Sequence, residues 1–239
     1  MNLGKNDLHI WHIPLGGESL LQQSFPPLPS EAEITQAAKF THPLLHQCYL
    51  KTRWAMRKIL GLYLSEAPEK VQLRYAELGK PELIPGAHSL DIRFNLTHSG
   101  NGALFAVTLG TEVGIDMEKI GHKPRPLRLA SRYFTKDVVQ QLDNLNGQDQ
   151  QLGLLKLWTQ YEAYKKAQGL GLRGGDDLLP LNLHLTADKF QPFPSPSDQV
   201  PAWLVAQLQP APGYVGAIVI EANDDRCQMS HIDYEAYSF

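Results

Sequence analysis

The sequence predicts an α+β fold built as a pseudo-dimer of two similar α+β halves, with the active site in the cleft between them. Three observations lead there. Strand-like alternation and helix-like periodicity both occur, in separate segments. The order strand, helix, helix, strand, strand, strand runs through the first half and recurs from Val113 onward, without a residue-level repeat. A short acidic strand, Val113 to Glu118, opens the second half directly after an apolar strand ends the first. The expected units are residues 1–112 and 113–239.

Leu8 to Ile13 alternates weakly and reads as a first strand. A proline-rich connection, Ser24 to Ser30, leads to Ser30 and Glu33, spaced as a capping box for a helix to about Phe40. The next helix, Pro43 to Leu64, repeats apolar residues at helical spacing, with Lys51, Arg53, Arg57 and Lys58 on its other side. Arg53 and Arg57, one turn apart, are expected to present a cationic edge. Val71 to Tyr75 reads as a strand and Gly79-Lys80-Pro81 as a turn. Ile92 to His98 and Ala103 to Leu109 flank a Ser99-Gly100-Asn101-Gly102 turn, a hairpin whose second strand is almost wholly apolar.

Beyond the acidic strand, His122 to Arg132 is basic and proline-punctuated. Thr135 is placed to cap a helix to about Leu142, and Asp149 to cap one running to about Gln168, with Gly169 and Gly171 as its stop. Asn182 to Thr186, Ala202 to Leu208 and Tyr214 to Glu221 read as strands. Pro192 to Pro201 reads as a loop, and the tail past Glu221 is uninformative.

A chain of 239 residues, 43% hydrophobic and 20% charged, is ordinary for a soluble globular protein. A net charge of −3 gives no global basic field, so neither nucleic acid nor an anionic membrane is an expected partner. Cys48 and Cys227 lie far apart without metal spacing, which fits a reducing compartment. Met1 to Pro14 holds scattered charges and no long apolar run, so a cytoplasmic protein is expected.

The chemistry concentrates in two stretches. Asp116 and Glu118 share one face of their strand, roughly 7 Å apart. At an effective dielectric of 20 their repulsion is about 2.4 kcal/mol, which a bound cation would remove, and hard oxygens suit Mg²⁺. A solvated acidic face is the bland alternative. Trp158, Glu162 and Lys166 then follow one face of an otherwise apolar helix, where a half-buried acid and base need partners. Arg53, Lys80 and His98 are the cationic candidates from the first half.

Gly114-Ile115-Asp116-Met117-Glu118, followed by Trp158-Thr159-Gln160-Tyr161-Glu162-Ala163-Tyr164-Lys165-Lys166, resembles the paired signature of the 4′-phosphopantetheinyl transferases, in their large surfactin-synthetase-activating type. Phe94-Asn95-Leu96-Thr97-His98-Ser99, Gly79-Lys80-Pro81 and Arg132-Tyr133-Phe134 resemble three further blocks of that family in the same order, over roughly residues 35 to 172. Two departures stand out: Tyr161 replaces the lysine usual before the helix glutamate, and Thr97 replaces a serine.

The resemblance implies transfer of the phosphopantetheine arm of coenzyme A to a serine of an acyl or peptidyl carrier protein, with release of 3′,5′-ADP. It implies Mg²⁺, or Mn²⁺, held by Asp116, Glu118 and Glu162. Glu162 is the expected base, with Glu118 as the alternative, and Lys166 would meet the leaving phosphate. Arg53, Lys80 and His98 would contact the coenzyme phosphates, supported by Asn95, Thr97 and Ser99, with Lys39 a weaker candidate. An acidic carrier would dock on Lys123, Arg125, Arg128 and Arg132. A monomer is expected, since an internal pseudo-dimer completes its own cleft. Two rivals share these residues: a phosphatase that activates water, and a carrier-binding protein without activity.

Overall fold

A computed structural model describes residues 1–28, 30–121, 127–170, 178–194, 202–222 and 227–237. In chain order it contains β1 (Asp7–Pro14), α1 (Glu31–Ala37), α2 (Pro43–Leu64), β2 (Leu73–Tyr75), β3 (Pro81–Leu83), β4 (Ile92–Ser99), β5 (Gly102–Leu109) and β6 (Val113–Lys119). There follow α3 (Ala130–Tyr133), α4 (Lys136–Asp143), α5 (Gly147–Ala167), β7 (Gln191–Pro192), β8 (Trp203–Leu208), β9 (Tyr214–Glu221) and β10 (Gln228–Asp233). The fold is mixed α+β.

Strand alternation builds the layers. One four-stranded sheet has the order β10-β1-β5-β4, and a second has the order β6-β9-β8-β7. Within β1, Trp11 and Ile13 turn to one side and meet Met56, Ile59 and Leu60 of α2. Leu8 and Ile10 turn to the other side and meet Ile115, Ile218 and Ile220 of the second sheet. The second sheet packs its far face on α5, where Leu157, Tyr161 and Tyr164 meet Val205, Ala217 and Val219. Two sheets lie face to face, with one long helix outside each. Among the described residues no helix is long and apolar enough to cross a membrane.

Several local expectations change. Ser30 makes no side-chain cap, and Glu33 points inward rather than reaching back to it. Glu33 is fully buried, pairs with Arg57 Nη2 at 2.6 Å and accepts from the Tyr75 hydroxyl at 2.7 Å. Arg57 is therefore no part of an exposed cationic edge; its Nη1 donates to the Val71 carbonyl at 2.7 Å. Residues 182–186 form irregular backbone around a turn at Leu183 and His184 rather than a strand. The alternation is real, with Leu181, Leu183 and Leu185 buried against α5's core, but the segment lies between two isolated bridges, Phe134–Leu179 and Ala187–Gln207, and joins no ladder. The tail contributes β10, which pairs in parallel with β1. Gly171, Lys123 and Arg125 lie outside the described residues.

Candidate active site

The site begins with a glycine. Val113, Ile115 and Met117 fill the space between the sheets, so Gly114, Asp116 and Glu118 face the other way. A Cβ on Gly114 would lie 2.0 Å from the Ala163 carbonyl oxygen and 2.3 Å from the Ala167 nitrogen. Only a residue without a side chain lets the α5 backbone lie directly on β6. That contact brings the last two turns of α5 over the acidic strand.

Lys166 Nζ donates to Asp116 Oδ1 at 2.6 Å and stands 3.8 Å from Glu162 Oε2. The ammonium thus lies between the strand carboxylate and the helix carboxylate. Trp158 Nε1 donates to Glu162 Oε1, one turn away on the same helix face. Asp116 is 3% exposed, and its Oδ2 is buried without a hydrogen-bond partner among the described residues. Burial raises the Asp116 pKa, against the opposing pull of Lys166 and of the Thr97 hydroxyl.

These groups form one wall of a cavity of about 420 Å³. Asp116, Glu118, Glu162 and Lys166 line it on one side, and Arg53, Lys80, Asn95, Thr97 and His98 complete it. Ser99 and the weaker candidate Lys39 are not in its walls: the Ser99 hydroxyl donates to Glu118 Oε2 at 3.0 Å, and Lys39 Nζ donates to Gln36 Oε1 at 3.0 Å at the exposed end of α1. Arg53 is set by cation–π contacts, its guanidinium 4.8 Å from the Tyr49 ring and 5.8 Å from that of Tyr75. His98 is exposed, and crowding by protein, then Lys166 and Arg53, hold its pKa below the usual value.

Sequence reasoning missed two residues here, Glu112, which sets the cations, and Lys165, which lines the cavity. Glu112 accepts from Lys80 at 2.9 Å and from Arg93 at 2.7 Å, and Lys80 also donates to the Ala167 carbonyl at 3.2 Å. Two of the three ammonium protons of Lys80 are thus committed, which leaves one for a ligand. An isolated glutamate carries no pattern that would single it out. Lys165 also lines the cavity, 4% exposed, with its Nζ 5.7 Å from the Tyr161 ring. Tyr161 itself is a core residue, 1% exposed and packed on Tyr133 and Trp158, and takes no place in the walls.

Among the described residues no three His, Cys, Asp or Glu side chains converge as a ready-made metal cage. What exists is a partial set of hard oxygens facing an open volume. Mg²⁺ suits such a site, because it is commonly held by one or two carboxylates and completed by water and substrate phosphates. The orphaned Asp116 Oδ2 is the oxygen that fits it best.

The family model described as the 4′-phosphopantetheinyl transferase superfamily matches residues 112–219, which include β6 and α5. The 4′-phosphopantetheinyl transferase HetI of a Nostoc species is 32% identical over 221 residues, covering 92% of this chain and 90% of that protein. The 4′-phosphopantetheinyl transferase ffp of Bacillus subtilis is 30% identical over 193 residues, 76% of this chain and 81% of ffp. The transferase Sfp of the same organism is 29% identical over 171 residues, 70% of this chain and 71% of Sfp. With nearly the whole chain aligned to one such enzyme, and the acidic strand and its helix inside the matched region, this protein belongs to the 4′-phosphopantetheinyl transferase family.

Proposed function

We propose that this protein transfers the 4′-phosphopantetheine arm of coenzyme A to a serine of an acyl or peptidyl carrier protein, releases 3′,5′-ADP and depends on Mg²⁺. One observation carries the reading: a strand carboxylate, a helix carboxylate and a lysine meet at one wall of a cavity whose remaining walls supply Arg53, Lys80 and His98. In this reading residues 1–112 and 113–239 are the two halves of a pseudo-dimer, and the cavity is the cleft between them. The working protein is a cytoplasmic monomer.

Asp116, Glu118 and Glu162 would hold the cation, which supplies Lewis-acid stabilisation of the charge gathering on the pyrophosphate oxygens. Arg53, Lys80 and His98 bind the coenzyme phosphates. Glu162 accepts the proton of the carrier serine as its oxygen attacks the pantetheine-side phosphorus. The new serine O–P bond forms, the bond from that phosphorus to the bridging oxygen breaks, and 3′,5′-ADP leaves with the electron pair. Lys166 meets the negative charge on the departing phosphate. A positioned base contributes about 10²- to 10⁴-fold. Arg128 and Arg132, with the neighbouring Lys123 and Arg125, receive the acidic carrier helix.

The test is intact-mass spectrometry of an apo carrier mixed with the protein, coenzyme A and Mg²⁺. The carrier is expected to gain one phosphopantetheine unit, and the gain should stop when either coenzyme A or the metal is withheld. Breakdown of coenzyme A at the same rate without carrier would instead identify a phosphatase.

A further inference from the structure

β4 ends one sheet and β6 ends the other, and no backbone ladder joins them. Side chains from alternate positions of β4 cross the gap. Asn95 Oδ1 accepts from the Ile115 N–H at 2.9 Å, Thr97 Oγ1 donates to Asp116 Oδ1 at 2.9 Å, and Ser99 Oγ donates to Glu118 Oε2 at 3.0 Å. All three residues are buried.

The protons can be counted. A hydroxyl has one hydrogen to give. Ser99 Oγ already accepts from the Lys119 N–H at 3.1 Å, so its hydrogen goes to Glu118. Thr97 Oγ1 accepts from Lys166 Nζ at 3.4 Å and gives its hydrogen to Asp116. A phosphate offers only acceptors at neutral pH, and neither hydroxyl has a proton left for one. The resemblance assigns these residues to coenzyme A; their hydrogen bonds assign them elsewhere.

We propose that Thr97 and Ser99 are positioning residues for the metal-binding carboxylates, joining the two sheets through a side-chain clasp that aims Asp116 and Glu118. The inference rests on the transferase reading of the site. Thr97 and Lys166 anchor Asp116 by Oδ1, which leaves the unpartnered Oδ2 as the oxygen that would meet a cation. Groups that orient a metal's carboxylate ligands typically change metal affinity by about 10- to 100-fold when lost.

The experiment measures Mn²⁺ affinity by electron paramagnetic resonance without carrier or coenzyme A, and coenzyme A affinity separately by calorimetry in metal-free buffer. Thr97→Val and Ser99→Ala are expected to weaken Mn²⁺ about tenfold or more while coenzyme A affinity stays within about twofold. Thr97→Ser, which restores a hydroxyl, should recover the metal. Weakened coenzyme A with unchanged Mn²⁺ would overturn the proposal, and so would no change in either. Should Thr97→Val fail to fold, Ser99→Ala at the other end of the clasp gives the same reading. Transfer to apo carrier by the wild-type protein is scored alongside. A protein that never modifies a carrier refutes the transferase reading, whereas the two affinities judge the clasp by themselves.

Discussion

Replacing Gly114 with alanine tests how the site is assembled. The new Cβ would meet two backbone atoms of α5, 2.0 and 2.3 Å away, which no rotamer change can move. Restoring an ordinary 3.4 Å separation from the Ala163 oxygen requires α5 to retreat by about 1.4 Å, the difference between the two distances. Carried to the end of the helix, that retreat stretches the 2.6 Å Lys166–Asp116 bond to about 4.0 Å, beyond hydrogen-bond reach. Overpacking costs roughly 1 to 3 kcal/mol, and rigid backbone on both sides puts this case near 3. A displacement of this size costs about a hundredfold in rate. Urea unfolding and the carrier-mass assay read both effects. Gly102→Ala is the control, since its Cβ would touch only the flexible Met117 Cε, at 3.4 Å. A Gly114→Ala protein within about 0.5 kcal/mol of wild type and retaining most of its rate would refute the close approach of β6 and α5.

Four further outcomes are expected. Glu33→Ala strips the buried Arg57 of its carboxylate and should cost about 3 to 5 kcal/mol in urea unfolding. His98, its pKa lowered, is neutral near pH 7, and a bound phosphate favours its protonated form; KM for coenzyme A should therefore fall as pH drops from about 8 to about 6, and His98→Gln should flatten the profile. By the same sign, the unfolded chain holds the His98 proton more tightly, so the stability from this group is whole above about pH 6.5 and drains as pH falls through the lowered value. Burial pushes the Cys227 thiol up to about 11 and raises that of Cys48 as well, so iodoacetamide at about pH 8 should leave both unmodified by intact mass while the protein stays folded.

What the sequence reveals divides by physical cause. Elements with one buried face are legible, because period-2 and period-3.6 patterns record burial directly; β4, β5, β6 and α2 appear close to where they were expected. β10 is mostly exposed along its length and so leaves no such pattern. Residues 182–186 mislead for the opposite reason: one-sided burial produces the alternation without strand pairing. Glu33 misleads because a capping-box spacing says nothing about an arginine arriving from another helix. Within the site, Asp116, Glu162 and Lys166 are legible as charges set among apolar residues. The role of Gly114 and the tether from Glu112 to Lys80 depend on which backbones and side chains meet across the fold, and a linear pattern does not carry that.

The most direct test of the account is the single-turnover rate of carrier modification by Glu162→Gln, Asp116→Ala and Lys166→Ala beside the wild-type protein. Each variant is predicted to fall by about a hundredfold or more. Rates for all three within about twofold of wild type would contradict the convergence of these side chains on the reacting phosphate.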